Sequence, residues 1–163
     1  MEVNEDKFEF FWSGNSVFSQ WYRCNMVIDG IRYNCAEQYM MHQKAVLMGD
    51  KESANLILSS NNPREQKQIG RRVKHFKETL WNEKRESIVK KGNLEKFRQN
   101  KALAEILKTT YPRVLVEASP FDKIWGIGLR STDKRAKIKK EWKGRNLLGF
   151  ILTDVRNELM MMI

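Results

Sequence analysis

Cys24-Asn25-Met26-Val27-Ile28-Asp29-Gly30-Ile31-Arg32-Tyr33, followed closely by Ala36-Glu37-Gln38-Tyr39-Met40, is the stretch that decides the fold. Two short apolar runs flank Asp29-Gly30. Both turn positions of such a two-residue loop need positive φ, which Asp-Gly supplies. The stretch therefore reads as a β-hairpin. From Ala36 to Met48 the period changes, with Tyr39, Met40, Ala45, Val46 and Leu47 among the apolar positions of a helix.

Working downstream, Asp50 can cap a second helix running to about Leu58, and Asn62-Pro63 opens a third, since Pro suits the first helical turn. Lys77 to Thr109 keeps a helical pattern, with a break expected at Gly92. Arg113 to Glu117 has the β-branched content of a strand, and residues 118–145 form a long loop of the kind that is usually functional or mobile. The closing helix, Asn146 to Met161, puts Leu148, Ile151, Leu152, Val155 and Leu159 on one stripe. Upstream, Phe8 to Trp12 reads as a first short strand. The order of elements predicts an α+β, helix-rich single domain around a small β-sheet, spanning residues 1–163 with its core at about 10–160.

Composition bounds the function. The 163 residues are 41% apolar and 31% charged, too apolar for a disordered chain. No apolar run approaches the roughly 18 residues that span a bilayer. The acidic start, Met1 to Glu9, resembles neither a secretory signal nor a transit peptide. Two cysteines, Cys24 and Cys35, cannot supply a disulfide framework or a four-cysteine zinc site. A soluble, cytoplasmic protein is expected. Charge is uneven: residues 1–62 carry 5 basic and 8 acidic side chains, residues 63–163 carry 25 and 12. The densest basic run is Lys134, Arg135, Lys137, Lys139, Lys140, Lys143 and Arg145, which suits a polyanion or an ordinary solvated face.

Several standard chemistries fail on residue type. There is no phosphate loop with a following Lys-Ser/Thr, and Gly126-Ile127-Gly128 lacks the third glycine of a dinucleotide fingerprint. His42 and His75 are far apart and lack carboxylates at ligand spacing, so no metal centre is expected. Both cysteines read as packing residues. What stands out is carboxylates and tryptophans: Glu37 in a first helical turn, Trp81 on a helix, and Asp122 three residues before Trp125. Each has a structural explanation, namely the helix dipole, an aromatic core position and a turn cap.

Their combination is more specific. Phe10-Phe11-Trp12 is followed by Phe18-Ser19-Gln20-Trp21, by Ala36-Glu37-Gln38-Tyr39 running to Lys44, and by Ile69-Gly70-Arg71 and Trp81. Then come Lys96-Phe97-x-Gln99-Asn100, Asp122-x-x-Trp125-Gly126-x-Gly128 and Trp142-x-Gly144-x-Asn146-Leu147-Leu148-Gly149 before Val155-Arg156. In this order the chain, from about Phe10 to Leu159, resembles the NADAR family (NAD- and ADP-ribose-associated), which includes bacterial N-glycosidases of riboflavin-pathway intermediates. Gln38 stands where many members have His, Gln20 where many have Asn, and Ile127 where some bacterial members have an acid.

The resemblance implies hydrolysis of a ribose C1–nitrogen bond, with Glu37 the principal catalytic carboxylate and Asp122 a second polar contributor. A carboxylate stabilises the positive charge that builds on the sugar and can activate water. Trp81 and Trp125 would stack on the base or shape its slot. Lys44, seven residues after Glu37 and so on the same helical face, is a candidate for the substrate phosphate. Arg71 and Asn146 are further ligand candidates by motif position. No metal or redox cofactor is needed for such a reaction. The implied substrate is a phosphoribosylaminopyrimidine of riboflavin biosynthesis. The alternative is ADP-ribose on guanine in nucleic acid, which the basic run mildly favours. A second alternative is a non-catalytic nucleic-acid or ADP-ribose binding module. No membrane partner is expected.

Overall fold

The computed structural model describes residues 7–162. Its elements in chain order are β1 (Phe8–Phe11), β2 (Met26–Ile28), β3 (Ile31–Tyr33), α1 (Ala36–Leu47), α2 (Lys51–Leu58), α3 (Pro63–Arg71), α4 (Glu78–Gln99), α5 (Lys101–Lys108), β4 (Val114–Glu117) and α6 (Leu147–Met161). The helix-rich α+β class expected from the sequence is what forms. The strands are divided between two separate two-stranded sheets, β1 with β4 and β2 with β3. The chain divides into two compact units, Gln20–Lys101 (the inserted unit) and the chain on either side of it, up to Ser19 and from Ala102 (the flanking unit). No helix among the described residues is long and apolar enough to cross a membrane.

In the inserted unit the hairpin pairs Met26 with Tyr33 and Ile28 with Ile31, and Asp29 and Gly30 take φ of 52° and 80° as the turn requires. Met26, Ile28 and Tyr33 face inward, and Tyr39 of α1 meets the Tyr33 ring edge to face at 5.1 Å. The predicted caps form: Asp50 accepts from the Ser53 N–H and Asn62 from the Arg64 N–H, with Pro63 opening α3.

The break expected at Gly92 does not occur. α4 runs through it unbroken, and the interruption falls at Asn100 instead. A helix-interior glycine costs about 1 kcal/mol relative to alanine, but here a Cβ would stand 2.6 Å from Tyr39 Cδ1. The aromatic ring of α1 seats where a side chain would be. The end of α4 then fastens the hairpin. The Val27 N–H donates to Gln99 Oε1 (2.8 Å), Gln99 Nε2 returns a bond to the Val27 carbonyl (2.9 Å), and Asn100 Nδ2 donates to the Asn25 carbonyl (2.9 Å).

In the flanking unit β1 and β4 run parallel, with Phe8 opposite Val114 and Phe11 opposite Glu117. Val116, Ala118, Ile127, Leu129 and Ala136 form a buried cluster covered by Phe8, Phe10 and Trp142. The segment 118–145 is a pinned loop: the Ile127 N–H donates to the Glu117 carbonyl, and the Lys143 N–H to the Ile127 carbonyl. Two 3-10 turns, Lys134–Lys137 and Lys139–Glu141, supply its local order. α6 buries the predicted stripe of Leu148, Ile151, Leu152, Val155 and Leu159. Its Arg156, 1% exposed, donates to Thr110 Oγ1 (3.0 Å) and to the Arg113 carbonyl, tying α6 to the chain entering β4.

Candidate active site

Glu37 is the second residue of α1, where a carboxylate is favoured by the helix dipole. It is only 6% exposed, and its N–H donates to the Gln20 carbonyl at 2.9 Å. Lys44, two turns on, places Nζ 4.8 Å from the Phe76 ring centroid and 5.7 Å from that of Trp81. Burial pulls the Lys44 ammonium below the ordinary lysine value of 10.5. Attraction to Glu37 opposes that shift, and repulsion from Arg71 adds to it. Glu37, Lys44, Arg71 and Trp81 are therefore gathered around one place in the inserted unit. α3 brings Arg71 close because Gly70 lets it lie against Met41, whose sulfur would overlap a Cβ there. The arrangement is a buried acid with two cations and an indole beside it.

Asp122, Trp125 and Asn146 lie together in the flanking unit. Asp122 Oδ1 accepts the N–H groups of Ile124 (2.9 Å) and Trp125 (2.8 Å), so the carboxylate caps the turn that sets the tryptophan. Asn146 is fully buried, in left-handed backbone at φ 52°. Its Oδ1 accepts from the Glu117 N–H (2.9 Å) and its Nδ2 donates to the Leu115 carbonyl (3.1 Å). Both ends of its amide are thus engaged with the outer edge of β4. The same unit carries a cavity of about 710 Å³ lined by Phe10, Trp12, Phe18, Arg130 and Thr132 among others. Lys134, Lys139, Lys140, Lys143 and Arg145 are exposed and Lys137 is half-buried, while Arg135 is bound to Asp133 at 2.7 Å.

Two aromatic partners of the cations were not singled out by sequence. Phe76 lies between α3 and α4, where no periodicity marks it. Trp21 has Lys67 Nζ 5.9 Å from its ring, and its only signal was its place in the aromatic segment after Gln20. The remaining candidates are structural. Tyr33 OH and His42 Nδ1 share a 2.8 Å hydrogen bond, and burial lowers the histidine's pKa. Cys35 caps α1, accepting from the Gln38 N–H and donating to Gln66 Oε1, and burial pushes its thiol up to about 12. It is therefore a protonated packing group at neutral pH. Among the described residues no three His, Cys, Asp or Glu side chains are grouped to hold a metal ion.

Comparison with known proteins adds to this geometry. The model of the NADAR domain matches residues 10–160, a span that takes in both units. The protein irg-1 of Caenorhabditis elegans is 39% identical over 176 residues, covering 96% of this chain and 83% of its own. An N-glycosidase of Acanthamoeba polyphaga mimivirus is 40% identical over 167 residues, with 96% and 98% covered. The N-glycosidase YbiA of Escherichia coli is 28% identical over 145 residues, with 88% and 79% covered. The NMR structure of the E. coli YbiA protein superposes with a TM-score of 0.79 at 24% identity, over 99% of this chain and 94% of that one, a likeness of fold.

Proposed function

Because this chain belongs to the NADAR family, we propose that it is an N-glycosidase that hydrolyses the ribose C1–nitrogen bond of a phosphoribosylaminopyrimidine of riboflavin biosynthesis. The products are ribose 5-phosphate and the free base. Relatives of this chain from a virus and from bacteria carry the name N-glycosidase. The observation that supports the reading most is the buried Glu37 carboxylate, sharing its surroundings with Lys44, Arg71 and Trp81.

As the bond to the base breaks, positive charge grows on the sugar, and Glu37 stabilises it and orients the attacking water. Lys44 and Arg71 take the phosphate, and Trp81 offers its face to the heterocycle. Within the flanking unit Asp122 sets the turn that carries Trp125, and Asn146 acts by holding the start of α6 against β4. A phosphorylated substrate cannot diffuse across a bilayer, which fits a cytoplasmic place of action.

The test is a product assay by mass spectrometry. The purified chain is offered a phosphoribosylaminopyrimidine, NAD, ADP-ribose and an ADP-ribosylated oligonucleotide side by side. Release of free pyrimidine supports the reading; release of ADP-ribose from the oligonucleotide alone replaces it with the alternative. Binding with no released product would favour a non-catalytic module, against which the buried acid speaks.

The exposed lysines of the flanking unit favour the nucleic-acid alternative enough to be tested directly. Replacing Lys137, Lys139 and Lys140 by Ser is expected to leave pyrimidine hydrolysis within about twofold, since one phosphate needs one or two cations. If nucleic acid is the substrate, the same change weakens binding and flattens its salt dependence, each lost phosphate contact removing roughly 0.7–0.9 from the log–log slope. A steep loss against the pyrimidine would move these lysines into the site itself.

Lys44 gives a pH signature. Its depressed pKa means that its charge is lost, as pH rises, before an ordinary lysine at 10.5 would lose it. KM for the phosphorylated substrate is therefore expected to climb on the alkaline side below that value. Lys44→Arg, charged throughout, should abolish the climb. A KM profile identical in both proteins would remove Lys44 from phosphate binding.

A further inference from the structure

We propose that a reciprocal amide pair between Gln20 and Asn93 positions Glu37, which makes Asn93 of α4 a positioning residue for the hydrolytic step. The inference rests on the reading of Glu37 as the catalytic carboxylate.

Asn93 is anomalous where it stands. It is fully buried in the middle of a 22-residue helix, a place where Asn is a poor helix former and an unbonded amide would be costly. Its bonds explain it. Nδ2 donates to the Val89 carbonyl one turn back (2.8 Å) and to Gln20 Oε1 (3.3 Å), while Oδ1 accepts from Gln20 Nε2 (2.9 Å). Gln20 is thus held by both ends of its side chain, and its main-chain carbonyl accepts the Glu37 N–H at 2.9 Å.

The first turn of a helix has N–H groups without intrahelical partners. At the start of α1 the side-chain cap is the thiol of Cys35, a weak acceptor, 3.4 Å from the Gln38 nitrogen. The Gln20 carbonyl is the stronger acceptor at this end, and it serves the residue that carries the carboxylate. Gly92, beside Asn93, receives the ring of Tyr39, two residues beyond Glu37. Adjacent residues of α4 therefore seat the first turn of α1 directly, through Tyr39, and indirectly, through Gln20. Freed from Asn93, the Gln20 carbonyl would no longer be fixed, and neither would the Glu37 backbone.

The two side chains differ by one methylene, so the pair can be rebuilt with the lengths exchanged. We would compare Asn93→Leu, Gln20→Ala and the double swap Gln20→Asn/Asn93→Gln with the native chain. All would be measured below their melting temperatures, with a phosphoribosylaminopyrimidine as the probe. Each single change is expected to lower kcat about 10- to 100-fold with KM held within about threefold, the size of loss a displacement near 1 Å can cause. The double swap should regain most of kcat.

A second readout needs no turnover. Hydrogen exchange at the Glu37 amide, followed by NMR, should accelerate about tenfold in Gln20→Ala, the effect of losing one hydrogen bond. The amide of Ala45 in the same helix should be unchanged. If the pair merely stabilises the fold, melting temperatures fall, all α1 amides exchange faster together, and kcat at a permissive temperature stays within twofold; that outcome overturns the proposal. Glu37→Gln separates the two levels. Native turnover in Glu37→Gln discards the catalytic reading and this inference with it. A dead Glu37→Gln beside a fully active Asn93→Leu and Gln20→Ala discards the positioning role alone.

Discussion

Glu37→Gln is expected to cut kcat by about 10²–10⁴-fold while leaving KM within a few-fold, the range over which a positioned acid or base contributes. The substitution keeps the shape of the side chain and the main-chain bond from residue 37 to the Gln20 carbonyl. It removes only the charge. A neutral amide cannot offset the positive charge that grows on ribose C1, so the loss falls on the transition state rather than on binding. A companion effect follows from the coupling to Lys44. Glu37 is the charge that raises the Lys44 pKa, so its removal should lower that pKa further and bring the alkaline rise in KM to lower pH. Steady-state kinetics with product identification by mass spectrometry read both effects. A variant with near-native kcat would take Glu37 out of the chemistry.

Asn146→Ala is expected to produce the largest loss of stability, about 2–4 kcal/mol. Two main-chain groups of β4, the half-buried Glu117 N–H and the buried Leu115 carbonyl, would each lose their partner, at roughly 1–3 kcal/mol per orphaned group. Alanine would also occupy φ 52°, a conformation it tolerates less well than asparagine. For a chain of this size the melting temperature should fall by about 5–15 °C, with KM unchanged for the protein that remains folded. Thermal unfolding and steady-state kinetics separate this from the role that motif position suggests. An unchanged melting temperature with a raised KM would make Asn146 a ligand group instead.

Asn146 belongs to a pattern that runs through the molecule. A two-stranded sheet leaves one edge of each strand without a ladder partner, and buried main-chain groups need one. In the flanking unit that edge is closed by Asn146 together with Thr153, whose hydroxyl accepts the Leu115 N–H at 3.0 Å. In the inserted unit Gln99 closes β2 through both main-chain groups of Val27. The motif residues Gln99, Asn100 and Asn146 thus act as the third strand that neither sheet has. Their spacing in the sequence carries no trace of this, because the partner in each case is a strand distant along the chain.

Local signals were legible wherever one turn of backbone decides the outcome. Asp29-Gly30 set the hairpin, Asp50 and Asn62-Pro63 opened their helices, and the apolar stripe of α6 was readable from its spacing. Gly92 misled for the same reason. Propensity weighs a glycine only against its own helix, and the Tyr39 ring that occupies the missing side-chain position comes from α1.

By itself the sequence determined the α+β class, the hairpin and helix starts, and the place of Glu37 in a first helical turn with Lys44 two turns on. These depend on hydrogen bonds and side-chain periods within a few residues. Tertiary structure alone decided the parallel pairing of β1 with β4, the seating of Lys44 between Phe76 and Trp81, and the hold of Asn93 on Gln20. Each joins residues tens of positions apart, and such contacts form only when packing repays the entropy of closing the chain between them.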